Sequence, residues 1–292
     1  MTNGPAHPRV ELHIHLDGSV PPETLLRIAI RREMVLPGLS GRVPRTVEDI
    51  YTALHSMGEI WRWFDLVNEI IGGDELSLSE VAEDFVARQA SFNVSYTEVR
   101  YDPVRPAVSH LANTSIPIER VVFAVEAGLA AASARHGVEA HQLLCAMRGS
   151  PGQACYDLAD LAARTRSGRI GGVVGMDLAG DEFHFNNSKN HVEACFRYAK
   201  HRWQLNTTVH AGEMSGPEDV RSAVELMLAD RIGHGYSSIR DEAVVALLQA
   251  REMHLEACPA GHHGNLNATG VYRQRGLNFG LSTDDRTPPA AP

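Results

Sequence analysis

The segment Val-Glu-Leu-His-Ile-His-Leu-Asp-Gly, residues 10–18, places two histidines one residue apart inside an apolar run. Alternate residues of a β-strand project to the same face, so His13 and His15 can both point toward one atom. A divalent cation is the simplest such atom, because imidazole nitrogen is a common metal ligand. The segment therefore predicts a strand whose end carries metal ligands.

Seven further short apolar segments follow this strand, separated by stretches with helical periodicity. Strands that alternate with helices imply parallel pairing through right-handed crossovers, and eight such units predict a closed (β/α)8 barrel of the TIM type. No Gly-x-Gly-x-x-Gly pattern follows the first strand, which disfavours a dinucleotide-binding sheet. The predicted strands are residues 10–16, 95–101, 142–147, 172–178, 206–210, 231–233, 254–258 and 278–282.

The segment from about residue 35 to residue 93 is too long for one crossover, so we expect extra helices inserted after the first strand. Trp61, Trp63 and Phe64 lie in this insert, and packing between the added helices is preferred over a role in capping a pocket. No linker or repeat divides the chain, which predicts one domain over residues 1–292. The other predicted helices are residues 23–33, 79–89, 118–134, 154–164, 190–202, 217–228 and 241–251.

The composition and net charge of the chain indicate which kinds of ligand it binds and in which cellular compartment it is expected. A formal net charge of -9 argues against binding to nucleic acid or to anionic membranes, whereas a small neutral ligand is indifferent to that charge. The first residues lack the apolar core of a secretory signal, and no apolar run is long enough to cross a bilayer. The four cysteines form no Cys-x-x-Cys pair, so we expect reduced thiols and a cytoplasmic protein.

Polar side chains with catalytic potential cluster just after the predicted strands. Because active sites of such barrels lie at the carboxyl ends of the strands, these side chains are expected to meet at one rim. Besides His13 and His15, they are Asp181 and Glu182 after the fourth strand, His210 and Glu213 after the fifth, His234 after the sixth, and Asp284 and Asp285 after the eighth.

Five motifs give this pattern its specificity: His-Ile-His-Leu-Asp-Gly-Ser, Met-Asp-Leu-Ala-Gly-Asp-Glu, Val-His-Ala-Gly-Glu, Arg-Ile-Gly-His-Gly and Ser-Thr-Asp-Asp. In this order they resemble the signatures of the adenosine deaminase family, zinc amidohydrolases of the (β/α)8 type. The resemblance runs from about Arg9 to Asp285. Adenine deaminase and AMP deaminase share the metal motifs, but residues 16–19 and 177–182 resemble the adenosine enzyme more closely.

The resemblance implies a reaction and its catalytic residues. The reaction is hydrolytic deamination of adenosine, and of 2′-deoxyadenosine, to inosine and ammonia in purine salvage. Glu213 would protonate the ring nitrogen beside the carbon that bears the amine, and His234 would position a water and help to deprotonate it. One zinc ion per chain would be bound by His13, His15, His210 and Asp284.

The resemblance also implies contacts to a purine nucleoside. Asp285 would hydrogen-bond purine nitrogen 7, the backbone of Gly180 would contact nitrogen 3, and Asp17 would approach the ribose hydroxyls. The chemistry of these residue types agrees with the reaction, because a bound divalent cation lowers the pKa of water from about 15.7 to about 7. A buried Glu213 would stay protonated, since burial disfavours its charged form.

Other interpretations of the same residues remain open. Glu213 can cap the helix that begins near Pro217, His234 can serve as a turn residue between two glycines, and Asp284 with Asp285 can form a helix-start pair. A cytidine-type zinc deaminase is disfavoured, because it needs His-x-Glu together with Pro-Cys-x-x-Cys and the chain has neither motif.

The last part of the chain departs from the family pattern. After Asp285 follow Arg-Thr-Pro-Pro-Ala-Ala-Pro, which cannot form a helix, whereas the family continues with further helices. Residues 260–276, where the family has its seventh helix, are few and rich in glycine, asparagine and histidine, and His262 and His263 are expected to lie in a flexible loop. Ala260 and Gly261 replace the family's hydroxyl-bearing residues. The alternative function is thus a truncated, weakly active or inactive member that retains only nucleoside or metal binding.

Overall fold

The computed structural model describes residues 7–57, 61–183, 189–260 and 265–285 of the 292-residue chain. Eight of its strands form one parallel sheet in the order β1-β2-β5-β6-β7-β8-β9-β10, and β3 pairs with β4 in a separate antiparallel ribbon. The strands are β1 (Arg9–His15), β2 (Val94–Tyr101), β3 (Val108–Ser109), β4 (Thr114–Ser115), β5 (Glu139–Met147), β6 (Val173–Ala179), β7 (Asn206–Ala211), β8 (Arg231–His234), β9 (His254–Ala257) and β10 (Phe279–Leu281).

The first and last strands meet and complete the barrel. Ile14 forms a parallel bridge with Asp284, and the hydroxyl oxygen of Ser282 accepts hydrogen bonds from the amides of Leu12, at 3.3 Å, and His13, at 3.2 Å. The prediction of a (β/α)8 barrel is confirmed, and each of the eight predicted strands overlaps one strand of the main sheet.

Helices follow the strands and cover the outside of the barrel. Each predicted helix overlaps a helix of the structure, and Pro22 and Pro217 occupy first-turn positions where a missing amide costs nothing. The helices are α1 (Pro22–Arg31), α2 (Val47–Met57), α3 (Trp61–Ile71), α4 (Glu75–Ser91), α5 (Ile118–His136), α6 (Gly152–Thr165), α7 (Lys189–Trp203), α8 (Pro217–Glu225), α9 (Glu242–Ala250) and α10 (Leu266–Arg275).

The insert after β1 forms helices, as expected. Helices α2, α3 and α4 fill it, and Trp63 is fully buried while Phe64 packs against the hydrophobic core. Both side chains therefore pack within the protein, and their packing between the added helices stays a prediction. The side chain of Trp61 lies outside the described residues.

Residues 266–275 form a helix, although the composition of residues 260–276 departs from the family's seventh helix. Helix α10 begins after Asn265, whose side-chain oxygen accepts a hydrogen bond from the amide of Ala268 at 3.0 Å, and ends at Gly276 with φ of 64°. Ala268 and Tyr272, four residues apart, are fully buried and attach the helix to the barrel. Gly261, His262 and His263 lie outside the described residues.

The expectation of four reduced thiols is also wrong. Cys155 on α6 and Cys195 on α7 form a disulfide with a Cα–Cα separation of 6.2 Å, and Cys145 and Cys258 are free and buried. Two neighbouring helices bring Cys155 and Cys195 together across 40 residues of sequence, which no short cysteine motif reveals.

Part of the surface of the barrel is apolar and exposed. Apolar side chains of the first and last barrel strands face solvent, with Val10 54% and Leu281 61% exposed. None of the helices in the described ranges is both long enough and apolar enough to span a membrane.

Candidate active site

Four side chains predicted to bind metal converge at the carboxyl end of the barrel. The Nε2 atoms of His15 and His210 lie 3.2 Å apart, and Oδ1 of Asp284 lies 3.5 Å from His15 Nε2 and 3.6 Å from His13 Nε2. His13, His210 and Asp284 are buried, while the His15 side chain is 15% exposed. The structure thus brings all four together, and their role as ligands stays a prediction.

The local backbone explains how each ligand reaches this point. His13 and His15 alternate along β1 and so share the face that points into the barrel. His210 lies near the end of β7, and Asp284 follows β10 with φ of 62°, a left-handed conformation that aspartate tolerates better than most residues. Burial lowers the pKa of His15 to about 3, so its imidazole is neutral near pH 7 and can offer a nitrogen lone pair.

Two carboxylates orient the imidazoles from behind. The Nδ1 atom of His13 lies 2.9 Å from Oε2 of Glu256, and Nδ1 of His210 lies 3.0 Å from Oδ2 of Asp177. When Nδ1 donates its proton to a carboxylate, the lone pair of Nε2 is free for a metal. The Nε2 of His13 is buried and has no hydrogen-bond partner among the described residues, which fits a donor set built for a cation.

Arg100 connects these two carboxylates. One guanidinium nitrogen lies 3.1 Å from Oδ2 of Asp177 and another lies 2.7 Å from Oε2 of Glu256, and all three side chains are buried. Burial alone would raise the pKa of Glu256, but the charges of Arg100 and Arg231 hold it well below its usual range. The carboxylates are therefore ionised, as acceptors of imidazole protons must be.

Sequence reasoning gave Arg100, Asp177 and Glu256 no role. Each occupies a strand of the parallel sheet and is almost completely buried there. Charged residues are rarely fully buried without a partner. The presence of these three inside apolar strand segments could therefore have indicated that they pair with one another or with other polar groups.

Glu213 and His234 face each other beside the four predicted ligands. Oε2 of Glu213 lies 3.6 Å from Nε2 of His234, which in turn lies 3.9 Å from Oδ2 of Asp284. Burial and the charge of Asp284 raise the pKa of Glu213 to about 8, so that its carboxyl group is protonated near pH 7. Burial lowers the pKa of His234, which keeps this imidazole neutral.

The Gly-His-Gly motif allows the close packing around His234. A Cβ atom on Gly233 in β8 would come within 2.9 Å of the His13 ring, so a larger residue there would displace that imidazole. His234 and Gly235 both adopt left-handed backbone, with φ of 63° and 74°. The hydroxyl of Tyr272 donates a hydrogen bond to the His234 carbonyl at 3.0 Å and so ties this turn to α10.

The helix-cap alternative for Glu213 is not supported. Helix α8 has Gly216 as its N-cap residue, and no side-chain cap hydrogen bond is formed there. The Glu213 carboxyl instead faces His234.

The side chains predicted to contact substrate lie at the same rim. A Cβ atom on Gly18 would overlap Oδ1 of Asp285, so the carboxyl of Asp285 rests directly on the Gly18 backbone. Asp17 accepts a hydrogen bond from the side-chain amide of Asn68 at 3.3 Å. Gly180, just after β6, has φ of 96°, and its carbonyl accepts a hydrogen bond from Arg148 at 3.3 Å.

Two further side chains near the site were not predicted. Asp102 directly follows β2, and burial raises its pKa to about 6, with a contribution from the charge of Asp17. The thiol of Cys258 lies with His13, His234 and Asp284 in a group whose ligand atoms are all within 4.8 Å of one another. Both residues directly follow a barrel strand, β2 and β9, and this position could have identified them as candidate site residues.

Comparison with known proteins agrees with this geometry. The sequence profile of the family described as adenosine deaminase matches residues 8–285. Adenosine deaminase of Mus musculus is 33% identical over 294 residues, covering 95% of this chain and 82% of that protein. Adenosine deaminase of Clostridium acetobutylicum is 28% identical over 290 residues, with coverage of 96% and 82%.

Solved structures share the fold. Adenine deaminase from Arthrobacter aurescens superposes with a TM-score of 0.78 at 22% identity, covering 96% of this chain and 83% of that one. The N6-mAMP deaminase of Arabidopsis superposes with a TM-score of 0.73 at 23% identity, covering 95% and 82%.

Proposed function

Because this chain belongs to the adenosine deaminase family, we propose that it hydrolyses the exocyclic amine of adenosine at a zinc site, releasing inosine and ammonia. Family membership makes the chain a hydrolase that acts on adenosine. The observation that carries the proposed mechanism is the placement of Glu213, with its raised pKa, beside a cluster of three imidazoles and one carboxylate.

The metal would be held by His13, His15, His210 and Asp284. Three imidazole nitrogens and one carboxylate oxygen are a donor set that suits zinc. When bound, such a cation supplies hydroxide near neutral pH, because it lowers the pKa of water from about 15.7 to about 7. Glu256 and Asp177, which contact the Nδ1 atoms of His13 and His210, would keep the Nε2 atoms of these two histidines directed at the ion.

Glu213 would act as the general acid. As a nucleophile adds to the carbon that bears the amine, electrons move onto the adjacent ring nitrogen, which must receive a proton. The raised pKa of Glu213, about 8, supports this role, because the proton is present near pH 7.

His234 would position the attacking water and accept its proton. Both ring nitrogens are buried and have no hydrogen-bond partner among the described residues, and the low pKa keeps the ring neutral. A neutral imidazole can accept a proton, whereas a charged one cannot.

Asp285, Gly180 and Asp17 would bind the substrate. Purine nitrogen 7 is an acceptor, so a carboxyl group needs its own proton to bond it, and burial together with the charge of Asp284 raises the pKa of Asp285 well above its usual value. The Gly180 backbone would meet nitrogen 3, and Asp17 would approach the ribose hydroxyls.

We place this reaction in purine salvage, carried out by a single domain over residues 1–292. The Cys155–Cys195 disulfide removes the reduced-thiol argument for a cytoplasmic location. The substrates would be adenosine and 2′-deoxyadenosine. The net charge of -9 supports a small nucleoside rather than a nucleic acid or a membrane surface as the ligand.

Steady-state kinetics of the purified chain test this proposal. Adenosine, 2′-deoxyadenosine, adenine and AMP would be compared by loss of the substrate absorbance band, with the metal content of the same sample measured. We expect turnover of the two nucleosides with one zinc per chain. A folded, fully zinc-loaded protein that turns over none of the four would refute it.

A further inference from the structure

Glu182 holds the turn that carries Glu213. It lies just after β6, is only 6% exposed, and its Oε2 atom accepts two hydrogen bonds, from the amides of Met214 and Ser215, each at 2.7 Å. These amides are the first two after Glu213. A carboxylate in the segment after β6 thus binds the backbone beside a predicted catalytic residue in the segment after β7.

The turn itself is compact. Gly212 has φ of 72°, and its amide donates a hydrogen bond to the hydroxyl oxygen of Ser215 at 3.2 Å. The carbonyl of Gly212 accepts a hydrogen bond from the amide of Ser237 at 2.8 Å. Helix α8 begins only at Pro217, so the amides of residues 214 and 215 precede the helix, and Glu182 satisfies them.

Satisfying two amides does not require a buried carboxylate from another turn of the barrel. A serine, threonine or aspartate within the turn would do so locally, as at many helix starts. Burying a carboxylate costs free energy unless its hydrogen bonds compensate. The other oxygen of Glu182, Oε1, is buried and has no hydrogen-bond partner among the described residues. The unusual placement therefore calls for a reason beyond capping.

That reason is the connection between two parts of the substrate site. Gly180, two residues before Glu182, is the predicted contact for purine nitrogen 3. The Arg148 side chain donates hydrogen bonds to the carbonyl of Gly180 and to the carbonyl of His210. Arg148 and Glu182 together fasten the turn after β6 to the turn after β7.

We propose that Glu182 is a positioning residue that directs the Glu213 carboxyl at the purine ring nitrogen and fixes it relative to the Gly180 backbone. This inference rests on the proposed function. It assigns Glu182 no contact with substrate. Its effect on catalysis passes through the backbone of residues 213–215.

Two variants separate charge from hydrogen bonding. Glu182→Gln keeps the side-chain size and one acceptor oxygen but removes the charge, whereas Glu182→Leu removes both acceptors. Glu225→Gln is the matched control, because it makes the same chemical change on an exposed carboxylate at the end of α8, away from the turn. Zinc content and a thermal unfolding curve would be recorded for all three.

The first readout does not depend on activity. Hydrogen exchange of the peptide that spans residues 211–216 reports whether the two amides are held. We expect exchange at least several-fold faster in Glu182→Leu than in the unmodified chain, and no change in Glu225→Gln. Unchanged exchange in Glu182→Leu overturns the inference, even if the unmodified chain fails to deaminate adenosine and the proposed function is lost.

The second readout separates positioning from general damage. In 1-deazaadenosine a carbon replaces the ring nitrogen that Glu213 would protonate, so its binding is insensitive to the direction of that carboxyl. We expect kcat for adenosine to fall by about 10²-fold in Glu182→Leu, the loss typical of a reacting group displaced by about 1 Å. A smaller fall is expected in Glu182→Gln. The inhibition constant of 1-deazaadenosine and the zinc content should both stay within about twofold of the unmodified chain. An unchanged kcat, or a parallel loss of analogue binding and zinc, overturns the positioning role.

Discussion

The amide of Asp284 donates a hydrogen bond to the carbonyl oxygen of His13, with the two atoms 3.0 Å apart. This bond joins the first barrel strand to the segment after the last one. It also sets the spacing between two predicted zinc ligands, since the His13 ring and the Asp284 carboxylate extend from the bonded residues. Closure of the barrel and assembly of the metal site therefore depend on the same contact.

Replacing His13 with alanine should reduce metal content and activity together. The variant loses the Nε2 donor and leaves the Glu256 carboxylate without its imidazole partner. We expect zinc per chain to fall well below one after dialysis, as measured by atomic emission, with activity falling in proportion. His201→Ala is the control, because His201 is an exposed histidine on α7. Full zinc retention in His13→Ala would contradict the ligand assignment.

Glu213→Gln should abolish turnover while sparing the metal. The amide has almost the shape of the carboxyl group but cannot deliver a proton to the purine ring. Loss of general acid catalysis typically lowers the rate by about 10²- to 10⁴-fold, so kcat should fall by at least about 10²-fold. Zinc content should be unchanged. Activity within tenfold of the unmodified chain would remove Glu213 from its proposed role.

The pH dependence of kcat/KM should show loss of activity on the alkaline side. Burial raises the pKa of Glu213 to about 8, and the protonated form is the one that donates. Below that pH the acid is present. As the pH rises through about 8 the carboxyl ionises, and kcat/KM should fall about tenfold per pH unit. A profile that stays flat to pH 10 would show that no group with this pKa has to be protonated.

Arg100→Met should weaken zinc binding and destabilise the fold. The substitution leaves two buried carboxylates without their shared cation, and breaking a buried ion pair costs about 3–5 kcal/mol. Loss of groups that orient metal ligands lowers metal affinity by about 10- to 100-fold. Chelator competition measures the affinity, and urea unfolding measures the stability. Arg120→Met breaks an exposed, solvent-screened pair with Glu75 and should change neither the zinc affinity nor the urea midpoint measurably.

Removal of the disulfide should lower stability and leave the chemistry intact. The Cys155–Cys195 bond closes a segment of 40 residues, and bonds of this kind typically stabilise by about 2–4 kcal/mol. The Cys155→Ala/Cys195→Ala double variant should therefore unfold at lower urea concentration, with unchanged kcat. Addition of reductant should shift the unmodified chain in the same direction and leave the double variant unaffected. A midpoint insensitive to reductant in both proteins would contradict a stabilising disulfide.

The barrel and its polar rim could be predicted because both follow from local patterns. Apolar, β-branched runs mark the strands, and side chains just after each run must share an edge. The Arg100 arrangement was missed, because hydrophobic periodicity shows that a strand is buried but not which buried charges face each other. Helix α10 was missed because its segment is rich in glycine and asparagine, and among its described side chains Ala268 and Tyr272 are the two that are fully buried. The disulfide depends on the separation of two helices, which sequence spacing does not encode.

The predicted metal ligands lie far apart along the polypeptide, with His13 and His15 on the first barrel strand and Asp284 after the last one. A nascent chain leaving the ribosome therefore holds an incomplete ligand set until residue 284 has emerged. Cation capture must await that residue, and fragments that stop before it should remain unable to acquire the proposed catalytic ion.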